Sequence, residues 1–158
     1  MSDTRPNILY ILSDQHARDV LGCYGDKIVR TPNIDRLAAK GVAFDQVYTP
    51  SPICVPARMS LLTGKFPFRQ KCWTNSDALA SDIPTTAHAM GAAGYYPTLI
   101  GRLHAIGPDQ LHGHAHREIG DHITDRYGGA DYTPCPSDRA QRCFAEAITQ
   151  IRPGTVQF

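Results

Sequence analysis

"NILYILSDQH", residues 7–16, decides the fold reading. Asn7 to Leu12 is a continuous apolar run containing two isoleucines and a tyrosine, and it stops at the polar cluster Ser13-Asp14-Gln15-His16. A short run without polar alternation reads as a strand buried on both faces, the habit of parallel sheets. The next segment, Thr31 to Gly41, carries helix punctuation: Thr31 as N-cap, Pro32 at the first helical position, Gly41 as the stop. Ile34, Leu37 and Ala38 form its apolar face. Val42 to Tyr48 reads as a second strand, and Ala57 to Thr63 as a helix stopped by Gly64. Thr85 to Ala93 reads as another helix, and Tyr95 to Ile100 as a third strand. Ser137 to Ile151 is expected as a last helix, with Cys143, Phe144, Ala147 and Ile151 as its stripe. Strands alternating with helices predict an α/β fold, a mainly parallel sheet flanked by helices.

In such sheets, functional groups collect beyond the carboxyl ends of the strands. Asp14 follows the first predicted strand, the Cys54 loop follows the second, and Arg102 and His104 follow the third. Three polar clusters are thus expected at one sheet edge, which is the main physical sign of a site.

The chain has 158 residues, 42% hydrophobic and 20% charged, with a net charge of +1. That length suits one domain able to bury roughly 70% of its unfolded surface. The near-neutral charge gives no footprint for nucleic acid or a membrane surface, so neither is expected as a partner. The N-terminal apolar run is too short for a signal peptide or a spanning helix, and a cytoplasmic location is the expectation. Five cysteines at irregular spacing, without a CxxC pair, argue against a disulfide framework or a zinc site. Most of them are expected to be buried thiols.

Cys54 stands apart. Pro52 and Pro56 bracket Ile53-Cys54-Val55 and stiffen the loop. Cys54 falls near the start of the following helix, where the helix terminus favours negative charge. Arg58, four residues on, can turn its guanidinium toward the same point. On spacing alone, two readings stand level: a nucleophile beside an anion site, or a small buried thiol. Asp14 alone could be a turn residue or a helix cap, and a lone histidine such as His104 is more often a satisfied surface or core residue than a catalyst. His112, His114, His116 and His122 read as an exposed polar loop rather than a metal-binding strip.

The longer motif separates these readings. "CVPARMSLLTG", residues 54–64, resembles the sulfatase signature, Cys-x-Pro-Ser/Ala-Arg followed by x-Ser-Leu-Leu-Thr-Gly, at every fixed position. The resemblance implies that a formylglycine-generating or other maturing enzyme oxidises Cys54 to formylglycine, reading Pro56 and Arg58. The hydrated aldehyde is then the nucleophile that attacks a small-molecule sulfate ester, with Arg58 holding it. "RPNILYILSDQH" resembles the family's first strand with its metal-binding acidic pair, here Asp14-Gln15. Asp14, Gln15 and the modified Cys54 are thus the implied ligands of a divalent metal, calcium first and manganese as the alternative. Gln15 brings a carbonyl oxygen but no charge. "GRLHAIGPDQLHG", residues 101–113, resembles the family's Gly-Lys-x-His segment, and the choline-sulfatase-like branch more closely still. His104 matches the histidine that contacts the nucleophile and sulfate. Arg102 stands where lysine is usual, a planar fork in place of a point charge.

The resemblance implies an alkaline-phosphatase-like fold. Sulfatases are several times longer, and their later metal ligands have no counterpart here. Asp121-His122 looks like the later metal-binding pair, but its surroundings match an upstream segment. Residues 1–158 are therefore expected to be the N-terminal portion of a sulfatase catalytic domain, truncated, with open sheet edges and no activity alone. Two alternatives stand beside sulfuric ester hydrolysis. One is a phosphonate or phosphate monoester hydrolase, which the Asp14-Gln15 pair also suits. The other is a non-enzymatic decayed fragment, or a module that pairs with a second chain.

Overall fold

The computed structural model describes residues 5–119. The expected helix over 137–151, Asp121, His122, Cys135 and Cys143 lie outside the described residues. The chain divides into two units, with the boundary between Val47 and Tyr48.

The first unit is built on turns. Single 3-10 turns at Arg18–Val20 and Gly22–Tyr24 precede helix α1, Pro32–Lys40. The predicted punctuation of α1 holds, with Thr31 as N-cap, Pro32 at the start and Gly41 as the stop. The Thr31 hydroxyl, however, does not cap its own helix. It accepts from Gly22 N at 2.9 Å and donates to Asp35 Oδ1 at 2.9 Å. Asp35 Oδ1 also accepts from Cys23 N at 2.8 Å. A side chain at Gly22 would put its Cβ 3.0 Å from Asp35 Cγ, so the turn packs on α1 only because position 22 is glycine. Arg18 donates to the Asp45 carbonyl at 2.8 Å, and the Tyr24 hydroxyl donates to the Phe44 carbonyl at 3.0 Å.

Two predicted strands in this region are corrected. Asn7–Leu12 and Val42–Tyr48 have no regular secondary structure. A strand exists only by pairing its backbone groups, and among the described residues the one sheet joins other segments. The expected apolar face of α1 is exposed too, with Ile34 at 42% and Leu37 at 58%.

The second unit holds the core and the sheet. Helix α2 runs Cys54–Thr63, α3 Pro67–Gln70 and α4 Thr86–Ala92. Helix α2 starts three residues earlier than predicted, because Pro56 in the first turn needs no amide partner. Gly64 ends it with φ 67°, a left-handed cap. Thr85 caps α4 in a reciprocal box with His88. Strand β1, Thr98–Ile100, pairs in parallel with β2, His116–Ile119, aligning Thr98 with His116 and Leu99 with Arg117. The predicted third strand is thus present but shorter, and β2 went unforeseen because His-Arg-Glu-Ile carries no apolar signal. Val55, Met59, Cys72, Leu79, Leu103 and Ala105 form the buried core. The fold is α/β, with helices and a parallel sheet.

Candidate active site

The second unit holds four of the six residues singled out by sequence, and hydrogen bonds link three of them, Arg58, Arg102 and His104. Cys54 is the first residue of α2 and is half-buried. Val55 and Met59, one helical turn apart, anchor the helix in the core. Ile53 provides no side-chain cap. The cap comes from a distance instead: Asn75 Oδ1 accepts from Val55 N at 2.9 Å. Asn75 sits in a turn organised by Asp77, whose Oδ2 accepts from Trp73 N and Thr74 N, each at 2.8 Å. Those amides hold the exposed Asp77 carboxyl below its ordinary range. Asn75 was missed by sequence reasoning. Only its flanking turn residues, Thr74, Ser76 and Asp77, signal a loop there.

Arg58 is buried one turn along α2, and its Nη1 donates to the Arg102 carbonyl at 3.0 Å. Arg102 Nη2 in turn donates to His104 Nδ1 at 2.9 Å. A guanidinium can only donate, so Nδ1 accepts and the neutral imidazole carries its proton on Nε2. Leu103 and Ala105 sit in the core between these polar residues. The α2 helix and the segment after β1 are thereby tied at one point that carries two guanidinium groups and an oriented imidazole. Such a cluster suits an anionic, multi-oxygen group.

The rest of the signature has a packing role. Gln70, buried at the end of α3, turns its amide onto α2. Its Nε2 reaches Met59 O at 3.2 Å and Thr63 Oγ1 at 2.8 Å, and its Oε1 accepts from Ser60 Oγ at 3.1 Å. Ser60 and Thr63 therefore fasten α2 to α3.

Asp14 and Gln15 belong to the first unit, where they form a turn directly after the Asn7–Leu12 segment. Gln15 has φ 53° and His104 φ 60°. Left-handed backbone is uncommon for non-glycine residues and concentrates at functional sites. The described residues gather no group of three or more His, Cys, Asp or Glu side chains able to hold a metal ion. A hard cation such as calcium takes about six to eight oxygen ligands. Asp14 and Gln15 supply only part of such a shell.

The reading of an exposed histidine loop is corrected at two positions, for His116 opens strand β2. His112 is 1% exposed rather than part of an open polar loop. Cys72 is buried as expected of a plain thiol, whereas Cys23 is exposed. Burial, with the Asp77 charge adding to it, pushes the Cys72 thiol up from its ordinary value. Among the described residues, no helix is long and apolar enough to cross a membrane.

The Sulfatase family model matches residues 6–149. A choline-sulfatase of Rhizobium meliloti is 37% identical over 139 residues, covering 88% of this chain and 27% of that protein. An uncharacterised sulfatase of Escherichia coli, YidJ, is 42% identical over 105 residues, covering 66% of this chain and 21% of that one. The chain thus spans about a quarter of the length of these curated relatives. Among solved structures, BT4656 in complex with its substrate D-glucosamine-2-N,6-O-disulfate superposes with a TM-score of 0.69 at 34% identity, covering 74% of this chain and 23% of that one. The phosphonate monoester hydrolase of Agrobacterium radiobacter superposes with a TM-score of 0.65 at 25% identity, covering 93% of this chain and 30% of that one. The fold is that of the alkaline-phosphatase-like enzymes, and the chain belongs to the sulfatase family.

Proposed function

We propose that the protein containing this chain hydrolyses sulfate esters, with Cys54 oxidised to formylglycine as its nucleophile. The observation that carries the reading is the chain of bonds from α2 to the segment after β1: Arg58 to the Arg102 carbonyl, and Arg102 to His104. It sets two permanent cations and an oriented imidazole in the unit whose first helix, α2, begins at Cys54. The helix terminus and both guanidinium groups favour negative charge as it develops on a transferring sulfuryl group. His104, with its proton on Nε2, is the group suited to move a proton. Splitting the displacement through a covalent step lowers each barrier.

A divalent cation, with calcium as the first choice, would polarise a sulfate oxygen when bound. Asp14 and Gln15 would be its oxygen donors in the first unit, joined by the modified Cys54, and a full shell needs further ligands. The residues address the sulfate head rather than a particular alcohol. The relatives' own names, which include choline-sulfatase and steryl-sulfatase, fit a shared head with varied alcohols. The maturing enzyme would act on the extended loop around Cys54 before folding closes it.

Phosphonate monoester hydrolysis is the competing reading, favoured by the uncharged Gln15 and by the likeness to a phosphonate monoester hydrolase. One measurement tests the nucleophile that both readings share, and a second decides between them. Peptide mass spectrometry of the protein from its native cells should find formylglycine at position 54. Steady-state assays should show a higher kcat/KM for a sulfate ester than for a phosphonate monoester. A thiol at position 54 in active protein, or the opposite preference, defeats the sulfatase reading.

A further inference from the structure

Parallel neighbours such as β1 and β2 need a crossover of about a dozen residues or more, and it is usually a helix. Here the crossover, Gly101 to Ala115, contains no helix, yet it begins with Arg102 and His104. Its shape is held by side chains. Gln110 Nε2 donates to the Ala105 and Gly107 carbonyls at 3.1 and 2.7 Å. Arg117 Nη1, on β2, donates to the Gln110 carbonyl at 3.2 Å. Asp109 Oδ1 accepts from Leu111 N at 3.1 Å and His112 N at 2.9 Å.

At the far end of the crossover, His112 is buried with φ 42°. The Thr85 hydroxyl, at the cap of α4, donates to its carbonyl at 2.6 Å. Its Nδ1 lies 3.3 Å from Asp109 Oδ2. The next residue, Gly113, has φ 90° and presses so closely on the His88 imidazole that any Cβ there would collide with the ring. Burying an imidazole in left-handed backbone is costly, so a plain loop position would not select it.

We propose that His112 is a positioning residue: seated against the cap of α4, it fixes the helix-free crossover in the shape that holds Arg102 and His104 together. What Arg102 and His104 do there rests on the hydrolase reading above, whereas the clasp rests on the contacts just described. The groups facing His112 are Asp109 and His114, both within the crossover, and His88 on α4. Burial, assisted by His88 and His114 and opposed by Asp109, keeps its imidazole less basic than usual. His112 Nε2 is buried with no hydrogen-bond partner among the described residues, so protonating both ring nitrogens would leave a buried N–H of the cation unpaired and weaken the clasp.

Amide hydrogen exchange on the protein as expressed tests this, using His112→Leu and His112→Asn. At neutral pH, His112→Leu should speed exchange at residues 102–106 by about tenfold or more, with α2 amides changed by less than about twofold. His112→Asn, which keeps a polar group toward Asp109, should give a smaller rise. Wild type should show an extra acceleration at 102–106 between pH 7.5 and pH 5.5, roughly the range of histidine titration. His112→Asn should lack that step although His88 and His114 remain. Unchanged exchange at 102–106, an equal rise across α2, or an acid step that survives in His112→Asn would each overturn the proposal. If His112→Leu does not fold, the acid step in wild type and His112→Asn decides. In the hydrolase assay, His112→Asn should lower kcat with little change in KM. A wild type without hydrolase activity would defeat the functional reading and leave the exchange test intact.

Discussion

Residues 8–12 are apolar throughout and residues 103–105 place His104 between Leu103 and Ala105, and neither stretch has regular secondary structure. Ile8, Leu9, Tyr10, Ile11 and Leu12 nevertheless stand between 51% and 76% exposed, while Leu103 and Ala105 are 6% and 4% exposed. The first stretch is the more hydrophobic, so hydrophobicity does not explain the difference. Neighbours do. Leu103 and Ala105 have Val55 and Met59 of α2 beside them, and the backbone between them is bonded through Arg58, Arg102 and Gln110. The first stretch has no sheet partner among the described residues. Burial in this chain follows the signature helix, and the residues with candidate chemistry in the second unit lie along the same helix and its contacts.

Met59→Ala should have the largest effect on stability. Met59 is among the largest fully buried side chains and links α2 to Leu103 and Ala105. Truncating such a residue costs about 2–5 kcal/mol, and denaturant titration should show that loss. Gly113→Ala follows, at about 1–3 kcal/mol, because it adds a Cβ against His88 at a position with positive φ. Asn75→Ala should cost about 1 kcal/mol by removing the remote cap on Val55 N. It should also lower hydrolase activity by loosening the first turn of α2, which bears Cys54.

A shallower effect comes from pH. The folded His112 pKa lies below its ordinary 6.5, so the unfolded chain takes up the proton first as pH falls. Stability should therefore decline from about pH 6.5 downward until the folded group also titrates. Asp109 is also lowered. Burial pushes it up, but the His112 and Leu111 amides, the His112 charge and the Ser81 hydroxyl outweigh that. Its contribution is present above 3.8 and is lost as pH falls through its lower folded value. Two separate losses are expected in equilibrium unfolding against pH, and His112→Asn should erase only the upper one.

The sequence was legible where a local rule decides the outcome. Pro32 and Gly41 bound α1, Gly64 stops α2 and Thr85 caps α4, because each acts on its own turn of backbone. The signature motif also picked out Cys54 and Arg58, and the 101–113 segment Arg102 and His104; Arg58, Arg102 and His104 are joined by hydrogen bonds. What it could not expose were partners set by tertiary structure. Asn75 caps a helix 20 positions away. His112 looked like one more residue of a polar histidine run until the contact with Thr85 buried it. Asn7–Leu12 reads as a strand from composition, but pairing is a property of its neighbours.

The smallest prediction bears most directly on that difference between regions. Leu37 lies on the apolar face of α1 and is 58% exposed. If the first unit is uncovered in solution, Leu37→Ala should change stability by no more than about 0.5 kcal/mol, as surface substitutions do. Alanine's higher helix propensity would absorb part of even that. A loss of about 2 kcal/mol or more, the scale of a core truncation, would mean that something covers this face. The contrast between the two regions would then reflect which neighbours are present.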